Sequence, residues 1–343
     1  MLNNSSIATN GTLPVNKHVS TLSLIQFILH SIIFLGGLVS NLLLVIIITR
    51  RKKMQTMTNW LILNLAISDL VIILITLPLI NITPFIPWPF GKVGCKYLVM
   101  PPMESFAGVC VLTHTAVALV RYYIVTHPMS TNLTRRRIIS IIVIVWIIPL
   151  MVQSVTIMGI LGEGFIVSGL HGEDKCNLQF KSPSHKIAYS TLVFSLTYVL
   201  PMVATAFAYI GIFLEVRRSM LNVSNHSSKE VFRRRVSQVR KMNRAFAVMY
   251  IFFAFTTLPT QLMLICNVGG LFKNLDNSTL QQLFFATLAF FYGQVLTNPL
   301  ILFYMGDDYR KELSNILCCK YYRRYSSLRL RQTKISLVLL KSE

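Results

Sequence analysis

Seven long apolar blocks, at 22–49, 60–80, 97–125, 138–161, 187–216, 245–268 and 282–305, dominate this chain of 343 residues. Each reaches the roughly 20 residues that a helix needs to cross a bilayer. Inside hydrocarbon a backbone must satisfy its own hydrogen bonds, so seven separate runs predict seven membrane-spanning helices. The composition agrees: with 53% hydrophobic and 13% charged residues, there is too little polar surface for a soluble domain of this length. The expected fold is therefore all-α, a seven-transmembrane-helix bundle over residues 22–305. A short amphipathic eighth helix is expected over 306–319, with tails over 1–21 and 320–343.

A net charge of +21 would suit a nucleic-acid binder, but its placement does not. Of the 33 Lys and Arg residues, nine fall in the fifth connector, nine after the last span, and four each in or at the edge of the first and third connectors. The positive-inside rule then puts the N-terminus outside and the C-terminus in the cytoplasm. The basic excess reads as topology and contact with anionic lipid, and no nucleic-acid partner is expected. Residues 1–20 lack a basic stretch followed by an apolar core, so the first span is expected to direct insertion itself. On the outer side, Asn3, Asn4 and Asn10 head glycosylation sequons, as do Asn81 and Asn277.

The six cysteines divide by compartment. Cys95 and Cys176 lie outside, where disulfides persist, and are expected to form a bridge. Cys110 and Cys266 sit in apolar runs and read as packing residues. Cys318 and Cys319 follow the short amphipathic stretch, a setting that suits palmitoylation.

Polar residues within the spans each need a reason. Asp69, Asn41 and Asn298 fall at comparable depth and form a candidate polar cluster, which could hold a cation such as sodium or only bond internally. Glu104 lies two turns inside the outer end of the third span, behind Pro101 and Pro102, which are expected to distort the helix. His114, deeper, reads as a core histidine bonded to another helix. Pro149, Pro201, Pro259 and Pro299 remove backbone bonds within later spans, and suggest a bundle that changes shape.

In this order the motifs resemble those of the rhodopsin-like (class A) G-protein-coupled receptors, with the neuropeptide-receptor type as the expected kind, over residues 22–320. Carrying the resemblance are Asn41 in "GLVSNLLLV", "NLAISD" ending at Asp69, "WPFG" before Cys95, and the Arg121–Tyr122 pair closing the third span. Trp146, Pro201 with Tyr209, "FFAFTTLP" with Phe253 and Pro259, and Asn298–Pro299 followed by "DDYRKEL" complete it. The resemblance implies a receptor of the plasma membrane that binds an extracellular ligand between its helices and activates a heterotrimeric G protein. It implies that Arg121, Tyr122, Tyr209, Phe253, Pro259, Asn298 and Pro299 form the coupling machinery. Arrestin, receptor kinases and membrane lipids are further partners it implies; no cofactor is expected, and no enzymatic activity.

Several residues depart from the family pattern. Val120 stands where an acid normally precedes the arginine, so the inactive state needs another restraint or basal activity should be raised. Thr257 replaces a tryptophan, Leu302 a tyrosine with Tyr304 two residues on, and Cys110 a serine near the sodium position.

Glu104, Gln153, Tyr198, Gln261 and Tyr292 are candidate ligand contacts. An aspartate to pair an amine is missing from the outer third span, and residues 284–297 contain no lysine for retinal. The long connector 162–186 carries charges of both signs, which suits a peptide; a lipid or small chemosensory ligand is the alternative. A transporter or channel would predict internal repeats and paired mid-membrane charges, and the chain shows neither.

Overall fold

The computed structural model describes residues 21–82, 90–91, 94, 100–128, 133–155, 162–168, 174–180, 182–221 and 229–317. The expected bundle is present. Helix α1 is Thr21–Arg50. Helix α2 is Met57–Val71, continued through a π-helical turn, Ile72–Thr76, into Leu77–Ile82. Helices α3 and α4 are Met100–Thr126 and Arg135–Val155. Helix α5 is Pro183–Phe194, a second π-helical turn at Ser195–Val199, and Leu200–Leu221. Helices α6, α7 and α8 are Lys229–Val268, Asn277–Met305 and Asp307–Leu317. Among the described residues, six helices are long and apolar enough to cross a membrane. The seventh is α4, 21 residues long, with Arg135, Arg136 and Arg137 at its start.

Helix α3 is the hub, packed against α2, α4, α5 and α6, while α7 closes the ring between α1 and α6. Close approach between membrane helices needs small residues, since lipid supplies no hydrophobic drive to force helices together. A Cβ on Gly37 of α1 would meet Ile73 at 2.9 Å and Val295 at 3.3 Å, so only glycine lets α1 sit against both α2 and α7. Gly211 of α5 likewise lies directly on the ring of Tyr122 in α3, with no room for a methyl group.

Both π-helical turns have one cause. A proline ring clashes with the carbonyl four residues earlier, and a π turn opens the backbone there. For Pro78 that carbonyl belongs to Leu74, within Ile72–Thr76; for Pro201 it belongs to Thr197, within Ser195–Val199. The distortion expected at Pro101 and Pro102 is not found. They fall in the first turn of α3, where a missing N–H costs nothing because no carbonyl precedes it in the helix.

Two differences from the apolar runs stand out. Helix α6 starts at Lys229, four turns before its apolar stretch, because Lys, Glu, Arg, Gln and Met favour helix as well in water as in lipid. Residues 162–168 and 174–180 pair as antiparallel strands β1 (Gly162–Ser168) and β2 (Asp174–Phe180), in a connector the sequence reading had left without structure. Their register sets Phe165 opposite Asn177 and Ile166 opposite Cys176.

Helix α8 is amphipathic as expected. Tyr309, fully buried, and Leu313 and Ile316, half-buried, pack on the bundle at i, i+4 and i+7, while Asp307, Arg310 and Lys311 face outward.

Candidate functional site

Two polar regions occupy the bundle. The first lies at mid-depth. Asp69 of α2 is fully buried; its Oδ2 accepts from Asn298 Nδ2 of α7 (3.2 Å) and its Oδ1 from the Cys110 thiol of α3 (3.3 Å). Cys110 is therefore a polar member of the site, not the plain packing residue its apolar surroundings suggested. Asn41 does not join them: its amide donates to Val295 O and Gly37 O, each at 2.9 Å, tying α1 to α7. The amide oxygens of Asn298 and Gln294 are buried without hydrogen-bond partners. With the Asp69 carboxylate they are the hard oxygen ligands that a cation such as sodium prefers, whereas the Cys110 sulfur is a soft atom that it does not.

His114 lies one turn below Cys110. Its Nδ1 bonds the Cys110 carbonyl of its own helix (2.9 Å), and it also has a looser hydrogen-bonding contact with the Asn298 side chain of α7, the interhelical partner expected. It reaches α6 by stacking on Phe253, with ring centroids 4.7 Å apart. Below it, α2, α3 and α4 are joined by one chain: Trp146 Nε1 donates to Asn64 Oδ1 (2.8 Å), and Asn64 Nδ2 to Thr113 Oγ1 (2.9 Å).

The second region is the arginine-rich end. The Arg121 guanidinium lies 5.0 Å above the ring of Phe246 on α6, and its buried Nε has no hydrogen-bond partner. Val120 is buried in the apolar core and offers that cation nothing. Tyr122 packs on Gly211 and edge-on to Phe207 of α5, at 5.6 Å between centroids. Tyr209 lies against Tyr250 of α6, at 5.8 Å, and Tyr250 in turn donates to Met202 O of α5 (3.0 Å). Next to Arg121 is a cavity of about 340 Å³, walled by Met54, Thr58, Asn59, Met242, Phe246 and Asp308 among others. One cation on an aromatic face, lining a cavity among the start of α2, α3, α6 and α8, is suited to release when α3 and α6 part.

Residues 40–302 match the 7 transmembrane receptor (rhodopsin family). The chain belongs to that family. It is accordingly a receptor of the rhodopsin family and not an enzyme. Relatives span nearly the whole molecule. The somatostatin receptor type 1 of Rattus norvegicus is 26% identical over 317 residues, covering 91% of this chain and 75% of the relative. The neuromedin-U receptor 2 of Rattus norvegicus is 27% identical, covering 88% and 78%. The neuropeptide F receptor of Drosophila melanogaster is 25% identical, covering 84% of this chain and 61% of its own length.

Within this rhodopsin-family receptor the other candidates scatter. Tyr292 of α7 is buried with its ring edge-on to His30 of α1, at 6.4 Å between centroids. Tyr198 stacks on Phe194 within the π turn of α5, and Gln261 is half-buried on α6. The side chains of Glu104, Gln153 and Cys176 lie outside the described residues, as do Asn3, Asn4, Asn10, Cys95, Cys318 and Cys319. Asn81, near the outer end of α2, has its Oδ1 2.6 Å from His30 Nδ1 of α1. Leu302 is fully buried and Tyr304 is 81% exposed, so the nearby tyrosine does not substitute for the one the family pattern expects.

Three residues went unnoticed in the sequence. Pro78 carried a readable signal, a proline within an apolar helix. Phe246 carried none, because an aromatic on a buried helix face reads as core. Tyr309 belongs to a helix whose amphipathic stripe was legible, but its partner was not: its hydroxyl donates to Asn59 Oδ1 of α2 (2.8 Å), and Asn59 Nδ2 donates to Met54 O (2.7 Å). Burial pushes the Tyr309 phenol above its usual range even though the Arg121 charge pulls it down. The phenol thus stays protonated, and a donor, at any pH below its ordinary range. Tyr309→Phe should leave the Asn59 oxygen unsatisfied and cost about 1–3 kcal/mol, measured as thermal unfolding of purified receptor, with no pH dependence of the loss between pH 6 and 9.

Proposed function

We propose that this chain is a plasma-membrane receptor that binds an extracellular peptide and activates a heterotrimeric G protein, with its arginine-rich end in the cytoplasm. The placement of basic residues supports that orientation: Arg50, Arg135 and Arg218 all lie at this one end. The observation that carries the coupling role is the Arg121 cation resting on Phe246 beside a cytoplasmic cavity, a contact that α6 alone can release. The relatives named above are receptors for peptides, and a peptide ligand is favoured here over a lipid for that reason. The β1–β2 hairpin supports it as well, since an extracellular hairpin offers its backbone to an extended ligand.

The test is a screen of neuropeptides, somatostatin and neuropeptide F types included, against cells expressing the receptor with a panel of G-protein dissociation sensors. At least one peptide should activate at nanomolar to micromolar concentration, and Arg121→Ala should abolish the response at matched surface expression. Activation by fatty acids or sterols and by no peptide would replace the ligand assignment.

A further inference from the structure

With valine at position 120, the sequence leaves open what keeps α6 against the bundle in the resting state. Beside the Arg121–Phe246 contact within the bundle, a second restraint lies outside the spans, at the first residue of α8. Lys241, near the cytoplasmic end of α6, donates to Asp307 Oδ2 at 3.2 Å. Asp307 is held in place from the other side, where Arg310 Nη2 donates to its Oδ1 at 2.7 Å.

An anchor is only as good as its base, and α8 is fastened along its length. Arg51 pairs with Glu312 at 2.8 Å and Lys53 with Asp308 at 3.1 Å, both cations coming from the turn between α1 and α2. Tyr309, fully buried, bonds Asn59 at the start of α2. Asp307 therefore stands on a helix fixed to the α1–α2 side of the bundle, and Lys241 ties α6 to that fixed side. We propose that Asp307, acting through Lys241, is a positioning residue that supplies the restraint missing before Arg121, so that the eighth helix holds α6 closed. The consequence for signalling rests on the coupled-receptor reading above; the consequence for α6 position does not.

The pair is exposed, 63% for Lys241 and 51% for Asp307, so water screens it and its effect is modest. Lys241→Glu should raise ligand-free nucleotide exchange roughly twofold to fivefold, the range for an exposed ion pair. Asp307→Lys also weakens the first turn of α8, where an acid faces the positive helix end, so by itself it does not discriminate. The reciprocal pair Lys241→Glu with Asp307→Lys does: it restores the bridge with reversed polarity and should return basal exchange toward the native level.

Lys241 could also touch the G protein, so the second readout excludes it. Spin labels at Ser237→Cys on α6 and Thr134→Cys beside α4, with Cys318 and Cys319 replaced by serine, report the separation of the two helices in purified receptor. Lys241→Glu should enlarge the population with α6 displaced, and the reciprocal pair should shrink it again. An unchanged distance distribution in Lys241→Glu, or a reciprocal pair no closer to native than the single variant, overturns the proposal. Displaced α6 with no exchange on any G protein upholds the restraint and sinks the coupling reading instead.

Discussion

Phe246→Leu is expected to raise basal G-protein activation about tenfold. A cation over an aromatic face contributes about 2 kcal/mol where water is excluded, a ceiling of roughly thirtyfold, and leucine keeps the apolar contact while losing the ring. Arg121 has its guanidinium 5.0 Å from that ring, its Nε is without a hydrogen-bond partner, and the residue before it is a buried valine. Removing the ring leaves the charge with no aromatic partner on α6, so the closed arrangement loses its cation–aromatic contact. The measurement is ligand-free nucleotide exchange in membranes at matched surface expression. Phe246→Tyr, which keeps the face, should stay within about twofold of native. Basal exchange in Phe246→Leu no higher than native would mean that the stacking is incidental.

Gly211→Leu is expected to give the largest loss of stability. The Tyr122 ring already occupies the place of a Cβ at position 211, and aromatic rings move only as rigid plates. Even alanine forces a shift, and overpacking of that kind costs about 1–3 kcal/mol; leucine adds three more carbons to the same clash. Helix α5 must then separate from α3, or Tyr122 must leave its edge-on contact with Phe207. Thermal inactivation of purified receptor should show the loss, and Tyr122→Ala in the Gly211→Leu background should recover much of it. If Tyr122→Ala gives no recovery, the clash lies elsewhere.

What could be read from the residues alone followed the bilayer. Span number, the cation-rich end and the existence of an amphipathic eighth helix all follow from where polar groups can stand relative to hydrocarbon. Asp69 and Asn298 were recognisable because a carboxylate and an amide in a membrane helix need a reason. Illegible were the pairings that depend on which helix face meets which. Asn41 has the same chemistry as Asn298 yet bonds the α7 backbone and not Asp69. His114 was placed in the core correctly with a partner on another helix, Asn298, but the shorter bond to its own helix and the stacking on Phe253 had no signal. Strands β1 and β2 were missed because a polar connector between two spans invites no packing argument. The length of α6 was missed because hydropathy marks where lipid ends, not where the helix does.

The two π-helical turns, at Ile72–Thr76 and Ser195–Val199, bear on how this chain is compared with others. Each holds one residue more than a regular turn, and one residue is about 100° of rotation around a helix axis. On either side of such a turn the same spacing in sequence points to a different face. Against a chain that lacks either turn, an alignment that forbids gaps inside helices pairs the wrong residues beyond Pro78 or Pro201. By the same rotation, losing one residue from 72–76 would leave α2 a continuous helix while swinging Asn81 away from His30. Here a single-codon deletion within a helix can redraw the packing at the outer end of α1 and α2 and spare the fold.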